Sequence, residues 1–282
     1  MSFDLEEKNK EEELEETRES GDFEQPKESE ESEESEEEEE GDEYDSDEAV
    51  LRGADPALLR EMVEIGLFYG KKKARTFPGM KKYILTTRNG VEILDLVQTI
   101  SAVEKAKEFL QEITKAGGKV LLVGTQPAAK EEIRRVAKKY GFPYVTEKWV
   151  GGALTNFGVI RKRIEKYTKM KEDKEAGRFS KYSKKEQSKM NRELEKMEFL
   201  FSGIESMNKL PEAVLIINPT FHETALREAK AIKAPVVSVL SSDSNPEEID
   251  YVIPANDNAK KSISFVMGKL EEGMEKSGTA SE

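Results

Sequence analysis

The stretch Lys148-Trp149-Val150-Gly151-Gly152-Ala153-Leu154-Thr155-Asn156-Phe157 brings a cation, the single tryptophan of the chain and a Gly-Gly pair together. Neither glycine has a side chain to hold another surface away or to disfavour positive φ. Thr155 and Asn156 then offer helix N-caps. A helix N-terminus with unsatisfied amides beside a cation favours anions, so this junction is expected to receive a phosphate. The plainer alternative is a tight strand-to-helix turn with Trp149 and Leu154 in the core.

A second stretch with chemistry runs from Leu67 to Tyr83. Lys71, Lys72, Lys73, Arg75, Lys81 and Lys82 alternate there with Tyr69, Phe77 and Tyr83. Cations beside aromatics and glycines suit RNA, with charge for phosphates and flat faces for bases or riboses. A solvated charged loop is the alternative. Arg88 lies in the next turn. Lys130, Arg134, Arg135, Lys138 and Lys139 add to the basic total, and Arg161 and Arg163 have no partner that the sequence specifies.

Little else is available to an enzyme. The chain has one His and no Cys. His222 follows Pro219-Thr220-Phe221 at a strand-to-helix crossing, where α/β active sites sit, but no Ser-His-Asp or metal spacing surrounds it. It reads as a cap or surface histidine. Asp243, Asp250 and Asp257 lie near strand ends, where a divalent ion or, more commonly, turn capping uses such residues. Neither G-x-G-x-x-G nor G-x-x-x-x-G-K-[ST] occurs. No catalytic residue, metal site or cofactor is expected.

The elements that must position these residues follow from periodicity. Asp55-Pro56 opens a helix whose stripe is Leu58, Leu59, Met62, Val63 and Ile65, ending near Gly66. Tyr83–Thr87 and Val91–Asp95 flank Arg88-Asn89-Gly90 as a hairpin. A helix is predicted from about Thr99 to Lys115, stopped by Gly117-Gly118. Val120–Val123 is a buried strand, and Pro127 opens the next helix. Phe157, Ile160, Ile164 and Tyr167, then Met190, Leu194, Met197, Phe201 and Ile204, recur every 3.5 residues or so. Joined by polar Lys171–Lys189, they predict an antiparallel coiled-coil helical hairpin. Strands at Ala213–Ile217, Pro235–Leu240 and Tyr251–Ile253 then alternate with helices. Alternation of this kind predicts an α/β fold with a doubly wound, mainly parallel sheet.

Whole-chain charge misleads about partners. Of 45 basic and 58 acidic residues, residues 1–48 hold 4 and 26, a net of -22. The remainder holds 41 and 32, a net of +9. The expected organisation is a disordered acidic N-terminal tail at 1–48, an α/β RNA-binding domain at 49–155 and 208–276, an inserted hairpin at 156–207 and a flexible C-terminus at 277–282. No apolar run approaches a bilayer span, and the acidic N-terminus lacks the apolar stretch of a secretory signal. With no Cys, a soluble, cytoplasmic protein is expected.

Taken in order, these segments resemble the universal family of small-subunit ribosomal protein two, in its bacterial form. The resemblance runs from about Leu58 to Gly268. It rests on Gly66…Gly70, Pro78-x-Met80-Lys81-x-Tyr83-Ile84, Arg88-Asn89-Gly90, Asp95-Leu96, Val123-Gly124-Thr125, Trp149-x-Gly151-Gly152-x-Leu154-Thr155-Asn156-Phe157 and Ile253-Pro254-x-Asn256-Asp257. It implies a flavodoxin-like sheet with a protruding helical hairpin, binding small-subunit rRNA near the head-body junction. It also implies neighbouring small-subunit ribosomal proteins as partners, with docking of the mRNA-binding small-subunit ribosomal protein one in bacteria. The chain departs from the family where Gly-x-His-Phe-Gly-His reads Gly66-Leu67-Phe68-Tyr69-Gly70-Lys71. It departs again where Asp-Thr-Asn falls on Ser241-Ser242-Asp243, removing an acidic residue that in some members helps form a metal pocket.

Two functions compete on these terms. One is a structural RNA-binding protein whose open cationic face joins residues 71–82, the helix 130–139 and the hairpin. The other is a sugar-phosphate or nucleotide-binding α/β enzyme using the loops after Val123 and Ile217. The first predicts that Lys71, Lys72, Lys73, Arg75, Lys81, Lys82, Arg88, Lys148, Trp149, Gly151, Gly152, Thr155, Asn156, Arg161 and Arg163 meet RNA.

Overall fold

The computed structural model describes residues 55–274. The expectations for residues 1–48 and 277–282 lie outside them. Asp55 opens α1 (Pro56–Glu64) as predicted, its carboxylate accepting from Ala57 N at 3.0 Å. A three-stranded antiparallel sheet follows, of β1 (Tyr69–Lys72), β2 (Ile84–Arg88) and β3 (Val91–Leu94), in the order β1-β3-β2. Asn89 at φ 48° and Gly90 at φ 75° make the predicted hairpin turn, with Arg88 paired to Val91. β1 was not foreseen, because a strand of Tyr, Gly and two lysines has no apolar alternation to reveal it. Gly70 is required there, since a Cβ would sit 2.8 Å from the Glu92 carbonyl oxygen.

Helix α2 (Leu96–Lys115) starts before the predicted Thr99, because Asp95 ends the hairpin and also caps the helix, accepting from Val97 N at 3.0 Å. Next come β4 (Val120–Val123), α3 (Pro127–Tyr140), β5 (Tyr144–Val145), α4 (Phe157–Glu175) and α5 (Lys184–Phe201). The chain continues with β6 (Ala213–Ile217), α6 (Glu223–Ala231), β7 (Val236–Leu240), β8 (Tyr251–Pro254) and α7 (Lys260–Glu271). The two-residue β5 was also unforeseen, being too short for a periodic signal.

The second sheet is wholly parallel, in the order β5-β4-β6-β7-β8. Numbered among themselves these strands run 2-1-3-4-5, the flavodoxin-like order, with its switch point between β4 and β6. Successive residues serve opposite faces. Val120, Leu122, Leu215, Val237 and Val239 join one core with α1, α2, α3 and α7, while Leu121, Val123, Val214, Ile216 and Leu240 join another with α4, α5 and α6. Burial on both sides accounts for the unbroken apolar strands.

The segment Lys171–Lys189, read as a polar turn, is mostly helical. Only residues 176–183 leave the helices, because Lys and Glu are good helix formers and Ser183 with Glu186 forms a capping box at the start of α5. Phe179 is buried within that connection. Helices α4 and α5 contact each other, with Ile160, Ile164, Tyr167, Leu194 and Phe201 buried. Met190 and Met197 are half-buried.

Candidate nucleic-acid interface

The turn after Trp149 does hold an anion, but the chain supplies it. Glu228, projecting from α6, accepts through Oε1 from Trp149 Nε1 at 2.9 Å and Gly152 N at 2.8 Å. Through Oε2 it accepts from Leu154 N at 3.0 Å, Thr155 N at 3.3 Å and Thr155 Oγ1 at 3.2 Å. The amides expected to receive a phosphate are therefore occupied. Burial raises the pKa of the Glu228 carboxyl, but the donors from Trp149, Leu154, Gly152 and Thr155 outweigh it and hold the group below the usual carboxylate range. Asn156 takes the N-cap position of α4 without a side-chain capping bond, and Thr155 serves Glu228 instead of the helix. Nothing local announces a carboxylate 76 residues away.

The two glycines differ. Gly152 has φ 84°, and a Cβ there would meet that of Asn156 at 3.3 Å. Gly151 is exposed, and an added Cβ meets nothing within 4 Å. Lys148 beside them is exposed, with no ion-pair partner among the described residues.

In the basic segment, Lys71 turns inward. Its Nζ lies 2.8 Å from Asp257 Oδ1, the two side chains being 15% and 0% exposed. Its backbone N–H donates to Ser242 Oγ at 2.8 Å. Lys71 thus ties β1 to the loop after β8 and is not presented to a phosphate. Burial pushes the Asp257 carboxyl above its usual range; Lys71 opposes this and nearby Asp243 reinforces it. Arg75 reaches Asp243 at 3.5 Å while remaining 69% exposed. Lys72, Lys73, Lys81 and Lys82 are exposed, with no ion-pair partner among the described residues, and Lys82 Nζ lies 4.9 Å from the centre of the Tyr83 ring. Arg88 is half-buried. On α4, Arg161 meets Glu165 at 3.2 Å in the open, and Arg163 is exposed.

Most cations of helix α3 are taken up by the fold's own carboxylates, Lys138 excepted. Lys130 and Arg134 both bind Glu147, Arg135 binds Glu132 and Glu271, and Lys139 binds Glu271. Its basic charge is largely neutralised within the fold, which the position of the cations alone does not reveal. The excess lies elsewhere: residues 157–204 contain 14 basic and 8 acidic residues, a net of +6.

His222 does take the N-cap position of α6, though without a side-chain capping bond, and it is not on the surface. It is 4% exposed, with Nδ1 2.9 Å from the Asn218 carbonyl oxygen and Nε2 3.0 Å from Thr125 N. Donation at Nδ1 and acceptance at Nε2 tie the loops after β6 and β4 together across the switch point, the place an α/β enzyme would keep open. Burial lowers its pKa against the opposing pull of the backbone carbonyls. The aspartates do not converge either: Asp250 accepts from Val236 N at 2.8 Å while Asp257 serves Lys71. Among the described residues no group of three or more His, Cys, Asp or Glu is placed to hold a metal, and no helix is long and apolar enough to cross a membrane.

Comparison with known proteins adds an independent line. A family model described as ribosomal protein S2 matches residues 62–277. The chain is 39% identical over 216 residues to the small ribosomal subunit protein uS2 of Coprothermobacter proteolyticus, covering 77% of this chain and 81% of that one. It is 38% identical over 217 residues to uS2 of Dictyoglomus thermophilum, covering 77% and 88%.

Proposed function

This chain belongs to the ribosomal protein S2 family, and we propose from that premise that it grips small-subunit rRNA with the cations its own carboxylates leave free. As a member it is a structural constituent of the small ribosomal subunit, acting in translation, and not an enzyme. The enzyme reading is set aside.

The observation that carries the RNA reading is how the fold divides its cations. Lys71 and, on α3, Lys130, Arg134, Arg135 and Lys139 are paired with internal carboxylates, whereas Lys72, Lys73, Lys81, Lys82, Lys138, Lys148 and Arg163 are exposed without an ion-pair partner among the described residues. Unpaired cations release phosphate counterions at the least cost in broken internal pairs. In this reading α4 and α5 form a coiled-coil hairpin whose net +6 faces rRNA near the head-body junction. Neighbouring small-subunit proteins, small-subunit ribosomal protein one among them, are the protein partners, and the compartment is the cytoplasm.

The test is co-sedimentation of the full chain with small ribosomal subunits across a salt series. Affinity falls roughly a thousandfold or more between 50 and 200 mM salt if about six phosphates are engaged. A flat salt dependence would sink the reading.

A further inference from the structure

A cleft of about 560 Å3 opens between the first turns of α2, the turn ending at Tyr83 and the chain from Pro246 to Val252. That volume is within the range of roughly 300–1,000 Å3 found for small-ligand pockets. Gln98, Ser101, Ala102 and Lys105 line it, and their spacing places them on one face of the helix. The space exists because the two central positions of that face, Ser101 and Ala102, are small.

The polar groups around it are held in place by their neighbours. Gln98 donates its amide N–H groups to the Lys82 carbonyl oxygen at 2.8 Å and to Asp95 Oδ2 at 3.0 Å, which leaves Oε1 as an acceptor. Asp250 is anchored through Oδ2 by Val236 N at 2.8 Å, which leaves Oδ1 as another. Tyr251 is stacked on Phe109, with centroids 4.2 Å apart and planes at 17°, so its ring is fixed before any ligand arrives. Tyr83 contributes a second aromatic wall. Lys82 and Lys105, both lining the cleft, are exposed and have no ion-pair partner among the described residues.

Two fixed acceptors, two aromatic rings and two free cations do not suit a free anion, because Asp250 would repel it. They suit a group that is flat and donor-edged at one end and anionic at the other. We infer that this cleft takes one unpaired nucleotide of the small-subunit rRNA, its base beside Tyr83 and Tyr251 and its neighbouring phosphates at Lys82 and Lys105. An amino-bearing base, adenine, cytosine or guanine, donates to Gln98 and Asp250, which disfavours uracil. The assignment rests on the rRNA reading above and extends it to residues on α2 and β8 that the sequence did not single out.

The test uses the full chain bound to small-subunit rRNA, read by nucleobase-reactivity probing and by affinity. Wild type protects one unpaired, amino-bearing base. Ala102→Trp fills the cleft, restores that base's reactivity and weakens binding roughly tenfold to a hundredfold, the scale of one stacked base. Lys105→Gln, at an exposed position, restores part of the reactivity and lowers the salt slope by about one; it decides the matter alone if Ala102→Trp does not fold. Lys73→Gln, outside the cleft, weakens binding while the base stays protected. Continued protection in folded Ala102→Trp overturns the cleft and leaves the rRNA reading standing. Failure of the wild type to bind rRNA overturns both.

Discussion

Trp149 donates its indole N–H to Glu228 at 2.9 Å, and that carboxylate also gathers the amides of Gly152, Leu154 and Thr155. One buried charge therefore occupies the amides that the sequence offers to a phosphate. Replacing it with Glu228→Gln turns an amide N–H toward groups that are themselves donors. Stability should fall by about 2–4 kcal/mol, measured by urea unfolding, with Trp149 fluorescence reporting the opened turn. The loss should shrink in acid, because a carboxyl with a depressed folded pKa contributes above its unfolded pKa and stops contributing as pH falls through the folded one. An unchanged unfolding midpoint at neutral pH would contradict the role given to Glu228.

Gly151→Val and Gly152→Val should separate two effects. Gly152 has φ 84° and lends its amide to Glu228, so a β-branched residue there costs at least about 1–2 kcal/mol in the free protein. Gly151 has open space around it, so its variant should unfold like wild type. If RNA approaches that backbone closely, Gly151→Val will still be recovered poorly in small subunits. Normal recovery would show that no surface packs there.

Lys71→Met leaves Asp257 fully buried with its cation gone. At neutral pH this should cost about 3–5 kcal/mol. The folded-state pKa of Asp257 is already raised, and losing Lys71 raises it further. The folded protein then holds a proton that the unfolded chain releases near its ordinary pKa of about 4, so stability drops as pH rises through that window. Wild type and variant lose stability in parallel until pH passes the raised folded-state pKa of wild-type Asp257; above it the gap between them should widen toward neutrality, and adding Asp257→Asn should abolish the widening. A gap independent of pH would rule out the buried pair as its cause.

Residues 1–48, outside the described structure, carry a net -22 against +9 for the rest. A tethered polyanion acts at roughly millimolar effective concentration on the cations beside it. It should compete best with RNA that is held by charge alone, because cognate rRNA adds shape-matched contacts. Removing residues 1–48 should tighten random RNA at low salt more than a cognate rRNA fragment. Unchanged binding of random RNA would exclude this screening role.

The sequence alone determined the parallel sheet, the hairpin turn and the order of the helices. Strands buried on both faces read as unbroken apolar runs such as Val120–Val123, and the turn residues Asn89 and Gly90 declare the left-handed conformations they adopt. These are local signals, carried by residues a few positions apart. What the charged residues do was decided only by tertiary structure. Lys71 and Lys72 are neighbours of one type, yet the first is sealed against Asp257 and the second is exposed. Glu228 reads as one more carboxylate of an amphipathic helix until α6 brings it to the Gly-Gly turn, and His222 shows its fixed role only once Thr125 lies against it. Charge interactions depend on distance in space and on burial, and for groups 76 or 186 residues apart the order of the chain specifies neither.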